Sequence, residues 1–345
     1  MAVEVPTQAA TQTDPVARRA GFVGRLASWE VVIAVLTILV LVVAAAVVPG
    51  FGGAGNATFL VLDIAPVLLI ALPMTLVVMT GEIDLSVASI VGLTSATMGS
   101  LWVQGLTIET IIPLCIVLGA VLGCVNGFFT TVVGLPSLAV TIGTLALFRG
   151  LAYVVLGDDA VADFPFTYSG WVTGGIGGGP VPNLLLPLVI AVVAFTVVLH
   201  ATPTGRGIVA TGASETAARF AGLSTRRTKF FLFVVSGAVS GLVGVLWTLR
   251  YSSARADNAA GLELAVVAAV LLGGVSIFGG KGTLPGVVAA VVLLAGLQNA
   301  LRLLNVSNEA LTVVTGSLLI VSVLAPNLVR AARGRTARRR PPRRV

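Results

Sequence analysis

Apolar runs of membrane-spanning length follow one another along most of the chain, separated by short polar links. A helix needs about 20 apolar residues, with a range of about 17–25, to cross a bilayer. By this measure we place ten spans, at residues 31–48, 60–79, 86–104, 108–133, 137–156, 184–201, 230–250, 263–278, 284–303 and 310–328. The pattern predicts an all-α polytopic membrane protein with about ten transmembrane helices.

Proline and glycine predict where these spans break and how they pack. Pro136 disfavours helix at Leu135, so a break is expected between spans four and five. Span eight is short and interrupted by glycine, which is typical of a broken or re-entrant helix. Glycines at four-residue spacing predict close helix contacts. They are Gly119, Gly123 and Gly127 in span four, and Gly237 and Gly241 in span seven.

A polar, arginine-rich stretch, residues 202–229, separates spans six and seven. Ser214 is the expected N-cap of a short helix of about two turns, with Glu215 in its first turn and Gly222 at its end. Its apolar residues, Ala217, Phe220 and Ala221, form a small face that can fit a groove on another protein. A basic loop that only fixes topology is the alternative on these grounds.

The composition fits a membrane chain. It is 57% hydrophobic and only 10% charged, so a soluble protein of 345 residues is excluded. The net charge of +7 and pI near 10.4 do not indicate nucleic acid, because the basic residues lie in tails and links. Lys and Arg are typically enriched on the cytoplasmic side of a membrane protein.

Ten spans place both termini on one side, and the charges sort accordingly. The basic clusters at 18–25, 206–229, 281 and 330–344 fall on one side, and Asp158, Asp159 and Asp163 on the other. Both termini are therefore expected in the cytoplasm, with the protein in the plasma membrane and lipid around it. We divide the chain into a disordered cytoplasmic tail (1–28), a transmembrane domain (29–329) that includes the loop 202–229, and a basic cytoplasmic tail (330–345).

Three polar residues near the spans are candidates for a pathway. Glu82 and Asp84 lie between spans two and three, where Asp84 or Ser86 can also cap span three. Intramembrane carboxylates often mark a pathway or gate, but two residues two positions apart do not form a paired acid/base site. Asn126 in span four is a buried polar residue that either faces a pore or makes structural hydrogen bonds.

Sequence motifs for catalysis or nucleotide binding are missing. Residues 279–282 resemble the end of a phosphate loop, but Val275 stands where a glycine is required, and Gly282 where serine or threonine is required. Cys115 and Cys124 lie about 13 Å apart on a helix, too far for a disulfide. We predict a non-enzymatic chain with no cofactor and no metal site, so any ATP hydrolysis belongs to another polypeptide.

Three segments together resemble the ribose-type permeases of ATP-binding cassette (ABC) importers. Residues 81–87 resemble the signature Gly-Gly-Ile-Asp-Leu-Ser-Val, and residues 217–222 the coupling motif Glu-Ala-Ala, three residues, Gly. Residues 270–280 resemble a late block of the family, and the likeness extends from about 30 to 328. Residues 252–257 are most similar to the D-type permeases of autoinducer-2 importers and to the related rhamnose permeases.

The resemblance implies roles for two residue sets. The ATPase-coupling set is Ser214, Glu215, Thr216, Ala217, Ala218, Arg219, Gly222 and Leu223. The set near the pathway is Gly81, Glu82, Ile83, Asp84, Leu85 and Ser86. Two positions depart from the family pattern: Glu82 stands where the signature has its second glycine, and Thr216 where the coupling motif has glutamate.

The resemblance also implies partners. These are two cytoplasmic ABC ATPase subunits, a second permease subunit that is identical or homologous, and an extracytoplasmic solute-binding protein. The acidic loop 157–183 is a candidate docking surface for the binding protein. Two alternatives stay open: a branched-chain amino acid ABC permease, and an ion-coupled secondary transporter in which Asp63, Glu82 and Asp84 carry protons.

Overall fold

The computed structural model describes residues 29–320 except 180, 308, 315, 318 and 319. Its helices, in chain order, are α1 (Trp29–Val47), α2 (Ala54–Met79), α3 (Val87–Val103), α4 (Ile108–Gly127), α5 (Ser137–Leu156), α6 (Phe166–Thr173), α7 (Leu185–Ala201), α8 (Pro203–Ala213), α9 (Glu215–Phe220), α10 (Thr225–Tyr251), α11 (Leu262–Leu272) and α12 (Leu284–Leu303). A π-helix (Phe128–Val133) continues α4, and a short 3-10 helix (Ile176–Gly178) follows α6. The described residues between 309 and 320 are also helical.

Six described helices are long and apolar enough to cross a membrane: α1, α2, α4 with its π-helical extension, α5, α10 and α12. The pair α7 and α8, bent by 67°, gives a seventh if it is one span. The apolar helices α3 and α11 are shorter, with 17 and 11 residues. The all-α polytopic architecture is confirmed, whereas the count of ten spans is not established. The predicted tails, and most of the tenth span, lie outside the described residues.

Helices α2 and α10 form the centre of the bundle. From Leu68 to Met79 the residues of α2 are all buried, and this helix contacts α10, α11, α12 and α7. Helix α10 packs against α2, α3 and α4. Because both helices are long, they connect one end of the bundle to the other. We call the end of the bundle that carries α9 the α9 end, and we call the opposite end the far end.

The predicted glycine contacts join α4 to α10. A Cβ atom on Gly119 would lie 2.3 Å from the carbonyl oxygen of Gly237, and one on Gly237 would lie 2.2 Å from that of Gly119. A Cβ on Gly123 would similarly meet the carbonyl oxygen of Phe233 at 2.3 Å. The two backbones therefore touch, which confirms the packing prediction. Cys115 and Cys124, also on α4, are both free thiols, as predicted.

The stretch 202–229 is more ordered than the sequence suggested. Thr202 caps α8, its hydroxyl accepting a bond from the Gly205 amide, and Pro203 occupies the first turn, where a missing N–H costs nothing. Helix α10 begins at Thr225, five residues earlier than predicted. Besides the predicted short helix, this stretch therefore contains α8 and the first turn of α10, which were not predicted. Arg226 and Lys229 belong to α10.

The predicted break between spans four and five is present, and so is the interruption of span eight. Gly134 adopts a left-handed conformation (φ 85°), and Pro136 precedes α5. Helix α11 stops at Leu272, after which residues 273–283 are not helical. The loop 157–183 contains α6 and pairs with the loop after α10 through a bridge between Val161 and Ala254.

Candidate functional site

The short helix α9 is capped at both ends. The Ser214 hydroxyl accepts a hydrogen bond from the Ala217 amide at 3.3 Å, as an N-cap residue should. Gly222, with φ +83°, follows the C-terminal end and provides the left-handed residue that stops a helix. Both predictions are confirmed. Phe220 is 89% exposed, so none of the residues that the structure describes covers the apolar side of α9.

Glu215 ties α9 to α10. Its Oε1 accepts bonds from Arg219 Nη2 at 2.5 Å and Thr225 Oγ1 at 3.3 Å, and its Oε2 accepts one from Lys229 Nζ at 2.7 Å. The hydrogen bond from Lys229, reinforced by Arg219, lowers the pKa of Glu215 although partial burial opposes the shift. Glu215 is therefore a fixed anion at neutral pH.

Lys229 continues this connection into the bundle. Its Nζ donates to Glu82 Oε1 at 2.6 Å, and its side chain is only 11% exposed. One ammonium group thus bridges two carboxylates that are far apart in the sequence. We call Glu82, Lys229 and Glu215 the lysine junction. It joins three elements: α9, α10 and the link between α2 and α3.

The link that carries Glu82 runs back among the helices as an extended segment. Asp84 is fully buried. It accepts hydrogen bonds from the Ser86 amide at 3.1 Å, the Ser86 hydroxyl at 2.6 Å and the Ser236 hydroxyl of α10 at 3.0 Å. Ser86 is the N-cap residue of α3, but its side chain makes no capping bond. The Asp84 carboxylate accepts the bond from the Ser86 amide instead. Of the two predicted capping residues, Asp84 and Ser86, it is therefore Asp84 whose side chain bonds at the start of the helix.

Asn126 belongs to the same buried polar chain. Its Nδ2 donates to Ser86 Oγ at 2.7 Å, and its Oδ1 accepts from Thr144 Oγ1 at 2.8 Å. Ile83 is held by two further bonds, from its amide to Ser137 Oγ and from Thr141 Oγ1 to its carbonyl. Asn126 is completely buried, so of the two alternatives this conformation displays structural hydrogen bonding. The network fixes the segment 82–86 against α3, α4, α5 and α10.

Backbone contacts between glycines close the bundle around this segment. The Gly280 amide donates to the Met79 carbonyl at 2.9 Å, and a Cβ on Gly212 would lie 1.8 Å from that same oxygen. Gly279 and Gly280 have positive φ values of 81° and 71°. The glycine-rich segment thus packs where α2 and α8 end. The close backbone contacts and the positive φ values account for the glycines at these positions.

Sequence reasoning missed most of the ion pairs. Asp63 on α2 pairs with Arg250 on α10 and with Arg302 on α12, and Arg302 Nη1 lies 2.8 Å from Asp63 Oδ2. At about 1.5 Å per residue, Asp63 lies about 24 Å along α2 from Met79, toward the far end. Asp63 is therefore well separated from Glu82 and Asp84. The available signal was opposite charges within apolar runs, where ionisable groups normally find partners.

Arg149 is a second residue that sequence reasoning missed. It lies within α5 and donates to the carbonyl oxygens of Ala256, Asn258 and Ala88 at 2.6, 2.9 and 3.1 Å. It thereby anchors the loop after α10 to the start of α3. This guanidinium donates hydrogen bonds to backbone carbonyls inside the bundle, so its role here is to stabilise the fold.

A bundle of helices of membrane-spanning length, with an exposed capped helix bonded to buried polar residues, is typical of a multi-pass membrane protein. Residues 56–323 match the family model described as branched-chain amino acid transport system / permease component, and the chain belongs to this family.

Curated relatives sharpen this assignment. The chain is 31% identical over 266 residues to the autoinducer 2 import system permease protein LsrD of Yersinia enterocolitica, covering 75% of this chain and 80% of the relative. It is 31% identical over 302 residues to the protein of the same name from Escherichia coli O9:H4, covering 86% and 91%. No solved structure matches the chain.

Proposed function

We propose that this chain is the membrane permease of an ABC importer for a sugar or sugar-like solute of the ribose, rhamnose and autoinducer-2 class. The observation that carries the proposal is the lysine junction. It connects an exposed helix with the coupling-motif sequence to a buried segment with the ribose-type signature. The names of the relatives favour an autoinducer-type solute over a branched-chain amino acid.

The proposal assigns ATP hydrolysis to partner subunits. Two ATPase subunits dock on α9 of this permease and on that of a second permease, identical or homologous, while a solute-binding protein docks at the far end. The exposed Phe220 and the caps at both ends of α9 support such a docking role. The loop 157–183, which lies at the far end, is the candidate surface for the binding protein.

The lysine junction suggests how ATPase closure reaches the pathway. A force on α9 acts on Glu215, then on Lys229 of α10, and then on Glu82 at the start of the extended segment. That segment is bonded through Asp84 to Ser236 of α10. Displacement of α9 therefore moves α10 and residues 82–86 together. This is the kind of rigid-body coupling that alternating access needs.

Orientation and span number belong to the same proposal: ten spans, both termini cytoplasmic and the α9 end facing the cytoplasm. Support comes from the different charged residues at the two ends of the bundle. Arg206, Arg219, Arg226, Arg227 and Lys281 lie at the α9 end, whereas Asp158 and Asp159 follow α5 at the far end. An excess of basic residues on one side marks the cytoplasm.

A pair of variants tests the docking role of α9. Phe220→Asp places a charge on the exposed apolar face without disturbing the bundle. Phe166→Asp makes the same change at a residue that is 84% exposed at the far end. Each tagged variant is purified from native membranes in mild detergent, and the co-purifying ATPase is quantified by mass spectrometry. Loss of ATPase with Phe220→Asp, and retention with Phe166→Asp, is the expected result.

Other outcomes would overturn the proposal. If the unaltered chain brings down no ATPase under conditions in which a known ABC complex survives, and transports solute alone in proteoliposomes under a proton gradient, it is a secondary transporter. If uptake by the assembled complex is competed by leucine and not by sugars, the sugar assignment fails and the branched-chain amino acid alternative replaces it.

A further inference from the structure

A second set of ion pairs lies at the far end of the bundle. Asp63 Oδ1 pairs with Arg250, Asp63 Oδ2 pairs with Arg302, and Arg250 also donates to the Leu62 carbonyl. We call Asp63, Arg250 and Arg302 the arginine junction. Three charged side chains from three apolar helices converge here, in a chain of which only 10% is charged. Such convergence within membrane helices is costly and typically functional.

The arginine junction borders open space. A cavity of about 600 Å³ is lined by the junction together with Asn56, Tyr251 and Asn299, among others. A second, smaller cavity of about 150 Å³ shares the junction and Tyr251 with the first, and its lining also includes Trp247. The larger volume lies within the range of about 300–1,000 Å³ that is common for small-molecule sites.

Aromatic rings and amides complete the lining. The Trp247 and Tyr251 rings, one turn apart on α10, have centroids 5.4 Å apart, and the Arg250 guanidinium lies 4.8 Å from the Tyr251 centroid. Asn56 Nδ2 donates to Asn299 Oδ1 at 2.9 Å, which places two amides side by side at the cavity wall. Tyr251 lines both cavities, whereas Trp247 lines only the smaller one and the two amides line only the larger one.

We propose that these two adjoining cavities, which share the arginine junction and Tyr251, together form a binding site for a small, neutral, polyhydroxylated solute. The site rests on the proposed function and gives it a location inside the permease. The C–H face of such a solute packs on the Trp247 and Tyr251 rings. Its hydroxyls, which both donate and accept, bond to the amides and the junction.

The charges of the arginine junction favour a neutral polyol over an amino acid. Both carboxylate oxygens of Asp63 are already engaged by arginines, so an ammonium group has no uncommitted carboxylate there. Asp63 in turn offsets one of the two guanidinium charges, which lessens the attraction for an anion. Hydroxyl groups need no such charge and can use the remaining donors and acceptors.

The site is remote from α9. Arg250 lies about 31 Å along α10 from Lys229, so substitutions in the two cavities leave the ATPase-docking surface intact. Solute binding and ATPase association are therefore separable measurements. The structure also offers a matched control. Asp257 pairs with Arg255 in the loop after α10, at 2.8 Å, but lines neither cavity.

The test uses the permease–ATPase complex, freed of solute-binding protein, in lipid nanodiscs. D-ribose, L-rhamnose and L-leucine are titrated while intrinsic tryptophan emission is recorded. We expect a saturable change with a sugar, lost in Trp247→Phe and unaffected in Asp257→Asn. Tyr251→Ala and Asp63→Asn should each weaken the apparent affinity about tenfold or more. Tyr251 is half-exposed, so Tyr251→Ala gives an answer even if Asp63→Asn fails to fold.

Three results would overturn the site. These are unchanged sugar affinity in Tyr251→Ala, saturation by leucine but not by either sugar, or no saturable response to either sugar from an assembled complex. In each case the ATPase still co-purifies, so the proposed importer function stands and only the site fails. Absence of the ATPase itself counts against the proposed function.

Discussion

The two ends of the bundle use the same ion-pair chemistry with opposite signs. At the α9 end one cation, Lys229, lies between two carboxylates, whereas at the far end one carboxylate, Asp63, lies between two arginines. Lys229 is 11% exposed, and glycine backbone contacts close the protein nearby. Arg302, in contrast, is 48% exposed and borders a cavity.

This difference in closure separates the proposed roles. A mostly buried junction can transmit displacement, because Lys229 is hydrogen-bonded to both carboxylates at once. A junction at an open cavity can exchange its protein contacts for contacts with a solute. The residue types agree with this division. The flexible lysine reaches carboxylates on two elements, and the planar fork of arginine suits recognition of a carboxylate or a hydroxylated ligand.

The largest expected effect comes from breaking the lysine junction at the α9 end. Lys229→Met removes the cation between Glu82 and Glu215. Glu215 keeps its bonds from Arg219 and Thr225, but Glu82 loses its ion-pair partner in a mostly buried place, which should cost about 3 kcal/mol of stability. Thermal unfolding of the purified complex measures this loss. Lys281→Met, at an exposed lysine of the same end, is the matched control and should leave the unfolding temperature unchanged. Equal effects of the two substitutions would refute the special role of Lys229.

Glu82→Gly gives a smaller effect and tests the departure from the family signature. Lys229 keeps Glu215, so the loss is one charged hydrogen bond, about 2 kcal/mol. Because α9 stays joined to α10 but loses the extended segment, ATPase docking should persist while uptake per ATP hydrolysed falls. Glu82→Gln retains an acceptor oxygen, so its coupling should lie between that of the unaltered chain and that of Glu82→Gly. If uptake per ATP hydrolysed is unchanged in Glu82→Gly, residues 82–86 do not take part in the proposed transmission of movement from α9.

Acid should weaken the lysine junction through Glu215. Its pKa is lowered in the folded protein, mainly by the hydrogen bond from Lys229, relative to an ordinary value of 4.5. The folded state therefore binds fewer protons, so the stabilisation is fully present above the ordinary pKa. It is lost as pH falls through the lowered pKa. Unfolding temperatures measured from about pH 6 to about pH 3 should converge with those of Glu215→Gln. A constant difference would contradict this assignment.

The smallest effect is expected at the far end. In Arg302→Gln, Asp63 keeps Arg250, and the lost pair is half-exposed, so stability should change by about 0.5 kcal/mol or less. Chemical unfolding of the variant and of the unaltered chain in detergent measures this difference in stability, and it would reveal a difference larger than the predicted one. A loss as great as that of Lys229→Met would show that the two junctions are structurally equivalent and end the comparison drawn above.

Much of the fold is visible in the sequence because membrane physics acts locally. Apolar length and Pro136 predicted the helices and the break before α5. The glycine spacing predicted close helix contacts, although the pairing of α4 with α10 came from the structure. The cap at Ser214 and the stop at Gly222 were predicted for the same reason: capping depends on residues within one turn. The resemblance to ribose-type permeases likewise rested on short contiguous motifs.

Tertiary structure alone decided which charges meet. Glu82 and Lys229 are 147 positions apart in the chain, and Asp63 and Arg302 are 239 apart. No periodicity relates such pairs, because their distance depends on how whole helices pack. The start of α10 at Thr225 is a similar case. Lys229 has unfavourable hydropathy for a span, yet the carboxylates of Glu82 and Glu215 stabilise it there, and those partners come from the fold.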